Sequence, residues 1–124
     1  QTYVQLHHEG HAHSVECFDK DILVAGLYGV HIGSCFFGES MFNHTANTSK
    51  LTLLYLMALL VNNKFTLLDS QFYNPHLLQF GAYEINDDEY QQYLHEGINR
   101  QISFPQELNF QKSVSILQSL SQRS

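Results

Sequence analysis

Residues 12–42 read AHSVECFDKDILVAGLYGVHIGSCFFGESMF, a stretch rich in β-branched, aromatic and small apolar residues. Two short breaks, the polar Asp19-Lys20-Asp21 and the single Gly33, divide it into runs long enough for strands. Runs separated by breaks of hairpin length are typical of antiparallel sheets. We therefore predict a three-stranded antiparallel meander with strands at Ser14–Phe18, Ile22–Ile32 and Ser34–Phe42.

Helices and short strands follow the meander. The segment Lys50–Asn62 is apolar almost all round, as expected of a helix buried on several sides, and Asn43–Ser49 supplies candidates for its N-cap. Gly97 is the candidate C-cap of a later helix. The further predicted elements are a strand at Phe65–Gln71, a short helix or turn at Pro75–Phe80, a strand at Ala82–Ile85 and a helix at Asp87–Glu96.

This order of elements predicts an α+β fold: a mixed sheet with a β-meander, a buried central helix and a second flanking helix. The order is similar to that of the N-acetyltransferase superfamily. The chain has 124 residues, 44% of them hydrophobic, enough for one domain, which we place at residues 12–106. Because the chain starts at Gln1 without a methionine, we expect a fragment, in which residues 1–11 form a junction from a missing upstream part. Residues 107–124 are predicted to be a polar C-terminal tail.

Composition narrows the classes of function. The formal net charge is −6 and the chain has only six lysines and arginines, which does not favour phosphate binding. The longest apolar run, Leu51–Val61, falls far short of the ~20 residues that cross a bilayer, so we expect no membrane association. The two cysteines, Cys17 and Cys35, form no CxxC pair and lie in apolar contexts. We expect a protein of the reducing cytoplasm.

A histidine-rich segment, HHEGHAH at residues 7–13, is the candidate metal site. A zinc-protease helix needs the spacing HExxH, and the HEGH that starts at His8 is one residue too short. His7 and His11 have helical i, i+4 spacing, but Gly10 weakens any helix that would align them. We expect no metal; the segment then forms a junction in which His13 is hydrogen-bonded at the start of a strand.

Patterns for covalent catalysis and for coenzyme A are missing from the sequence. Neither Ser40 nor Cys35 lies in a nucleophile platform such as GxSxG. Acyl-CoA transferases hold the pyrophosphate with a glycine-rich loop before the central helix, whereas Asn43–Lys50 contains no glycine. We expect no covalent intermediate and no bound cofactor. An acyl-CoA-dependent N-acyltransferase stays an alternative, because it would share the predicted fold.

Two acidic residues interrupt apolar strands. Asp69 and Gln71 are two positions apart, so in a strand both side chains project from one face, where the carboxylate can orient the amide. Glu39 lies within the apolar run Phe36–Phe42. A buried or half-buried carboxylate is costly without a partner, and such acids are enriched at functional sites. The alternatives are that Asp69 caps a turn at Asn74-Pro75 and that Glu39 is a solvent-facing residue of an edge strand.

Several short motifs together carry a family resemblance. They are His13-Ser14-Val15-Glu16, Gly26–Val30, Phe36–Phe42, Asn47–Lys50, Leu68–Gln71, and His76 with Gly81-Ala82. In this order and at this spacing they resemble the signature of the leucyl/phenylalanyl-tRNA-protein transferases, over roughly Tyr3–Gln106. GESMF and DxQ together are far more specific than any single motif.

The resemblance implies a cytoplasmic bacterial enzyme that transfers Leu or Phe from Leu-tRNA or Phe-tRNA to proteins with N-terminal Arg or Lys. The transfer marks those proteins for N-degron proteolysis. An N-acetyltransferase-like fold is implied, in which aminoacyl-tRNA replaces acyl-CoA, together with a preceding N-terminal domain. The remaining alternative is a non-catalytic domain that binds basic protein N-termini through Glu39, which the acidic charge permits.

The resemblance also implies roles for the polar residues near the end of the predicted strand. Gln71 would contact the attacking α-amine, while Asp69 would fix the Gln71 amide and favour the developing positive charge. A glutamine is too weak a base to act alone, so the pair would position and stabilise, and water or the leaving 3′-oxygen would take the proton. Backbone N–H groups near Ser70 and Asn74 are the oxyanion candidates.

Glu39 would bind the cationic side chain of the acceptor. Strict alternation puts Phe36 and Glu39 on opposite faces of their strand, so we predict a bulge at Gly38 that brings both to the site. Selection of Leu and Phe calls for a deep apolar pocket. The candidates for that pocket, each of which could equally be ordinary core, are Leu27, Phe36, Met41, Leu56 and Leu68.

Overall fold

Strands form most of the first third of the chain, and helices form most of the described residues after it. The computed structural model describes residues 2–70, 85–102 and 110–122. Its five strands lie side by side in one mixed sheet, in the order β1-β2-β3-β4-β5, with β5 parallel to β4 and all other pairs antiparallel. The elements are β1 (Thr2–Glu9), β2 (Ala12–Asp19), β3 (Ile22–Ile32), β4 (Cys35–Asn43), α1 (Ala46–Asn62), β5 (Leu67–Asp69), α2 (Asp87–Gly97) and α3 (Phe110–Gln122).

Two-residue turns join the first four strands. Gly10 begins the first turn with φ 60° and Gly33 begins the third with φ 57°. In the second turn Lys20 and Asp21 both have positive φ, 52° and 65°, which is the pattern of a type I′ turn. Such turns match the twist of the flanking strands and fix their register. The predicted meander Ser14–Phe42 is confirmed, with the breaks at the predicted positions.

The first strand was missed by the sequence analysis. Residues 1–11 were predicted to be a junction, whereas Thr2–Glu9 pairs with β2 along its whole length. Val4 lies opposite Cys17 and Leu6 opposite Val15, and all four side chains are buried in the core. The physical reason is a two-residue apolar period at Val4 and Leu6, which is too short to stand out without its partner strand. The preceding domain stays a prediction.

The predicted central helix is confirmed and lies in the core. Its N-cap is Thr45, whose Oγ1 accepts a hydrogen bond from the backbone N–H of Thr48 at 3.2 Å. The helix packs across β2, β3 and β4 and contributes Leu53, Leu56 and Leu59 to the apolar core. We call the covered side of the sheet the α1 face.

A β-bulge in β4 confirms the prediction made at Gly38. Gly38 lies opposite Gly29, but the next pair is Ser40 with Tyr28, so Glu39 is an extra residue without a counterpart on β3. The extra residue shifts the alternation of side chains by one. Met41 therefore packs against the same core as Phe36, although five positions separate them.

Helix α2 packs against the sheet on the side opposite the α1 face, beside β4 and β5. It begins after the N-cap Asn86, which accepts from the N–H of Glu89 at 2.9 Å. The prediction that Gly97 is the C-cap is wrong by one residue, since the cap is Ile98 in a right-handed helical conformation. Gly97 instead allows close approach: a Cβ there would lie 2.5 Å from Cys35 Sγ. The backbone N–H of Ser34 donates to the Gly97 carbonyl at 2.9 Å.

The predicted polar tail at residues 107–124 contains helix α3, which packs against α1. Ser113, Ile116, Leu117 and Leu120 follow an i, i+3, i+4, i+7 pattern; Ser113 is buried, and the three apolar residues pack on the core. This narrow stripe among Ser and Gln residues explains why the sequence signal was weak. The elements predicted at 75–80 and 82–85 fall outside the described residues, except for Ile85, which is not in a strand.

Candidate functional site

The centre of the candidate site is the end of β5, where its pairing with β4 stops. The parallel register joins Cys35 to Leu67 and ends with Phe37 beside Asp69. Past this last pair β4 forms its bulge at Glu39, and β5 gives way to Ser70. The two acidic candidates therefore lie near the end of this β4–β5 pairing, the place that we call the opening between β4 and β5.

Asp69 is held by a residue that the sequence analysis missed. Its half-buried carboxylate accepts a hydrogen bond at Oδ2 from the hydroxyl of Tyr90 in α2, at 2.7 Å. This hydrogen bond, burial and the negative charge of Asp69 raise the pKa of Tyr90 to about 12. Tyr90 therefore stays a neutral donor well above neutral pH. Its only sequence signal is a position seven residues before Gly97, on the same side of the helix.

The titration of Tyr90 gives a direct check of this contact. We expect Asp69→Asn to lower the pKa of Tyr90 from about 12 toward the ordinary value of 10.0, because the substitution removes the charge that disfavours tyrosinate. In the wild type the hydrogen bond contributes to stability below the ordinary value and is lost as pH rises through about 12.

An NMR titration of ring-labelled tyrosine measures this shift, with the Tyr90 signal assigned by its loss in Tyr90→Phe. Tyr3 serves as the internal control, because its pKa is raised by a different carboxylate, that of Asp21. The Tyr3 titration should not change in Asp69→Asn. An unchanged pKa of Tyr90 in that variant would contradict the contact.

The other polar candidates are only partly described. Ser70 is half-buried and follows directly after β5. Gln71 and Asn74 lie outside the described residues, so the predicted arrangement of Asp69 beside Gln71 stays a prediction. The predicted strand Phe65–Gln71 is represented by the three-residue strand β5.

The pocket candidates are brought together on the α1 face. Leu27, Phe36 and Leu56 are fully buried between the sheet and α1, and the half-buried Met41 and Leu68 pack against the same core. Along β5 the side chains alternate, so Leu68 joins this cluster while Asp69 meets α2 on the other face. The structure therefore groups the five apolar candidates but separates them from Asp69 by the thickness of the sheet.

The structure decides between the two environments considered for Glu39. Its side chain is exposed, as in the alternative that it faces solvent, although β4 is not an edge strand because β5 pairs with it. The physical reason is the bulge, which takes Glu39 out of the regular alternation in a part of β4 that β5 does not cover. Tyr28 and Phe42, on β3 and β4, are exposed as well, at 46% and 48%. The role of Glu39 toward an acceptor stays a prediction.

The histidine-rich segment lies at the first hairpin. His13 is buried, and its Nε2 lies 2.5 Å from Nδ1 of the buried His31 on β3, which confirms a hydrogen-bonded His13 at the start of a strand. Burial and the neighbouring His11 lower the pKa of His31. Among residues 2–70, 85–102 and 110–122, no group of three or more His, Cys, Asp or Glu side chains could hold a metal ion.

Cys17 and Cys35 are free, buried thiols, and burial raises the pKa of both. Cys35 packs beneath α2, where its thiol lies 4.0 Å from the carbonyl oxygen of Tyr93.

In the described part of the chain, no helix has the length and apolar character needed to cross a membrane.

Comparison with known proteins places this site in a family. Residues 1–95 match the family model for leucyl/phenylalanyl-tRNA protein transferase. The chain belongs to this family. The predicted family resemblance is therefore confirmed.

Curated transferases of the same name span longer chains. The relative from Cereibacter sphaeroides is 45% identical over 124 residues, which are 100% of this chain and 58% of the relative. The relative from Phenylobacterium zucineum is 49% identical over 105 residues, 85% of this chain and 46% of its own. The relative from Hyphomonas neptunium is 56% identical over 86 residues, which are 69% of this chain and 33% of the relative. The chain thus spans a third to somewhat over half of these transferases.

Proposed function

We propose that this chain carries the catalytic site of a cytoplasmic aminoacyltransferase. The enzyme moves Leu or Phe from aminoacyl-tRNA to the α-amine of proteins with N-terminal Arg or Lys and so tags them for proteolysis. The fold is N-acetyltransferase-like, with the site at the opening between the parallel strands β4 and β5. Family membership supports the reaction, and the observation that carries the site is the anchored carboxylate of Asp69 at that opening.

The chemistry is aminolysis of an activated ester. The acceptor nitrogen attacks the ester carbonyl, the new C–N bond forms, and the bond from the carbonyl carbon to the 3′-oxygen of the tRNA breaks. The proton leaves the amine and passes, through water, to that 3′-oxygen. The protein's task is to hold a neutral amine in line with the carbonyl and to stabilise the oxyanion.

Four residues are assigned to this task. Gln71 contacts the amine, Asp69 orients the Gln71 amide and stabilises the positive charge that develops on nitrogen, and the backbone N–H groups near Ser70 and Asn74 meet the oxyanion. Asp69 is suited to this role because its charge is retained while its orientation is fixed by a neutral donor.

The donor side chain is assigned to the apolar cluster on the α1 face. Met41 and Leu68 are half-buried and lie on the two strands that flank the opening, so they would form the entrance. Leu27, Phe36 and Leu56 are fully buried and would form the floor. The reacting ester would then lie at the opening, with its side chain toward the α1 face and its carbonyl toward Asp69.

An acyl-CoA donor is disfavoured by the start of α1. The coenzyme's pyrophosphate would need uncommitted N–H groups at that helix N-terminus. Here Asn43–Lys50 contains no glycine to form a phosphate loop, and the side chain of Thr45 already accepts from the N–H of Thr48. Incubation of the full-length protein with an Arg-started peptide and either Phe-tRNA or acetyl-CoA separates the donors. We expect product in the reaction with Phe-tRNA and none in the reaction with acetyl-CoA. Product with acetyl-CoA and none with Phe-tRNA would overturn the proposal.

Acceptor selection by Glu39 gives a further prediction. Glu39→Gln keeps the shape and removes the charge, so the KM for Arg- and Lys-started peptides should rise about two- to fivefold, in line with the modest strength of exposed ion pairs. Turnover at saturation should change little, because the lost contact is common to ground and transition states. Steady-state kinetics on Arg-, Lys- and Gln-started peptides measure both constants.

Glu9→Gln is the matched control, since Glu9 is an exposed glutamate on β1 at the opposite edge of the sheet. Its KM values should equal those of the wild type. If Glu39→Gln and Glu9→Gln give the same KM for the Arg peptide, Glu39 has no part in acceptor binding.

A further inference from the structure

The C-terminal end of helix α2 is packed tightly against the sheet. Gly97 accepts a hydrogen bond from the N–H of Ser34 at 2.9 Å, and Ser34 Oγ lies 2.6 Å from Thr66 Oγ1, just before β5. A Cβ on Gly97 would lie 2.9 Å from Ser34 Oγ and 3.1 Å from Thr66 Oγ1, so the helix backbone rests directly on these side chains. The end of α2 is therefore fixed relative to the start of β5.

The spacing along α2 then matches the spacing along β5. Seven residues separate Tyr90 from Gly97, about 10.5 Å along a helix, and three separate Thr66 from Asp69, about 10 Å along a strand. A helix position seven residues away returns to nearly the same side after two turns. Anchored at Gly97, α2 thus presents Tyr90 to the end of β5, where its hydroxyl donates to Asp69 at 2.7 Å.

We infer that Tyr90 is a positioning residue for the aminoacyl transfer, which it supports by fixing the carboxylate of Asp69 through Oδ2. This inference rests on the proposed function and adds a residue to it. Asp69 is the last residue of a three-residue strand, and the next residue, Ser70, lies in neither a helix nor a strand. The hydrogen bond from Tyr90 to Oδ2 restricts the orientation of the carboxylate and leaves Oδ1 for the role proposed above.

A tyrosine suits this role better than a basic residue. A Lys or Arg at this place would form an ion pair and offset the negative charge that the attacking amine needs nearby. The neutral phenol donates one hydrogen bond and leaves the charge in place. The close packing of Gly97, at the end of α2, on the buried Cys35 keeps the helix, and with it the phenol, close to the sheet.

Tyr90→Phe in the full-length protein tests the inference. We expect kcat to fall about 10- to 100-fold, as for a misplaced catalytic group, while KM values for Phe-tRNA and the Arg peptide stay unchanged. The matched control is Tyr3→Phe, which removes a similar tyrosine–aspartate hydrogen bond, from Tyr3 to Asp21 at 2.9 Å, on β1 at the far edge of the sheet. Its kcat should equal that of the wild type.

A double-mutant cycle with Asp69→Ala separates positioning from a merely structural role. If Tyr90 acts through Asp69, Tyr90→Phe costs nothing further once Asp69 is gone. Equal losses in both backgrounds, or a lower melting temperature with unchanged kcat, would overturn the inference. Failure of the proposed function looks different: Asp69→Ala itself would then keep wild-type transfer. If Asp69→Ala strongly lowers the transfer rate and Tyr90→Phe does not, only the role of Tyr90 is removed and the proposed function stands.

Discussion

Asp69→Ala is expected to lower the rate of transfer about 100-fold or more while the protein stays folded. The reason is that a positioned polar group acts mainly on the barrier, and removing one such group typically costs about 10²- to 10³-fold in kcat. The half-buried carboxylate contributes little to the core, and its one described hydrogen bond comes from Tyr90. Gln71→Ala is expected to have a similar effect through loss of contact with the amine.

The transfer rate and the melting temperature are measured together in the full-length protein. Asp88→Ala is the control, because Asp88 is an exposed carboxylate in the first turn of α2. It should transfer at the wild-type rate. Near-normal transfer by both Asp69→Ala and Gln71→Ala would remove the pair from the mechanism.

The largest expected effect on stability comes from Gly33→Ala. Gly33 has φ 57°, a backbone conformation that is strained for any residue with a side chain. A Cβ there would also overlap the carbonyl oxygen of Gly97 and lie 2.8 Å from the carbonyl carbon of Ile98. Neither neighbour is a flexible side chain, so α2 would have to move. Strain and overpacking together predict a loss of about 2–5 kcal/mol in the free energy of unfolding.

Gly10→Ala separates the two causes. Gly10 has nearly the same φ, 60°, in a similar turn, but a Cβ there would meet nothing within 4 Å. Its loss should be about 1–2 kcal/mol, from backbone strain alone. Urea unfolding of both variants gives the difference, which reports the packing of α2 on the turn. Equal losses for the two variants would contradict that packing.

The meander and the central helix could be predicted because their signals are local. Turn residues sit between runs of apolar residues from Ala12 to Phe42, and Lys50–Asn62 is apolar on nearly every side. Each pattern identifies its element without reference to the rest of the chain. The fold class followed from the order of these elements.

Elements with thin apolar stripes could not be predicted in the same way. Among the side chains of Thr2–Glu9 whose burial the structure describes, only Val4 and Leu6 are buried, and the described side chains of α3 that pack on the core are Ile116, Leu117 and Leu120, among Ser and Gln residues. Both are stabilised by what they pack on, which a sequence window does not contain. The secondary structure of these two segments therefore depends on tertiary packing.

Long-range contacts limited the prediction of the site. Asp69 was found because a carboxylate in an apolar strand is unusual, but its partner Tyr90 lies 21 residues away on another element. The bulge was predicted from Gly38, but the sequence left open whether Glu39 is buried or faces solvent, and the structure shows it exposed. One extra residue changes which face the following side chains take: alternation alone would put Met41 on the face opposite Phe36, whereas both pack on the same core.

The central claim is tested most directly by identifying the product of transfer. The full-length protein is incubated with Phe-tRNA and a peptide that begins with Arg, and the product is sequenced by mass spectrometry. A second peptide, identical except for an acetylated α-amine, is the control. We predict addition of one Phe to the free α-amine and none to the blocked peptide; no addition to the free peptide, or addition to the blocked one, would contradict the account.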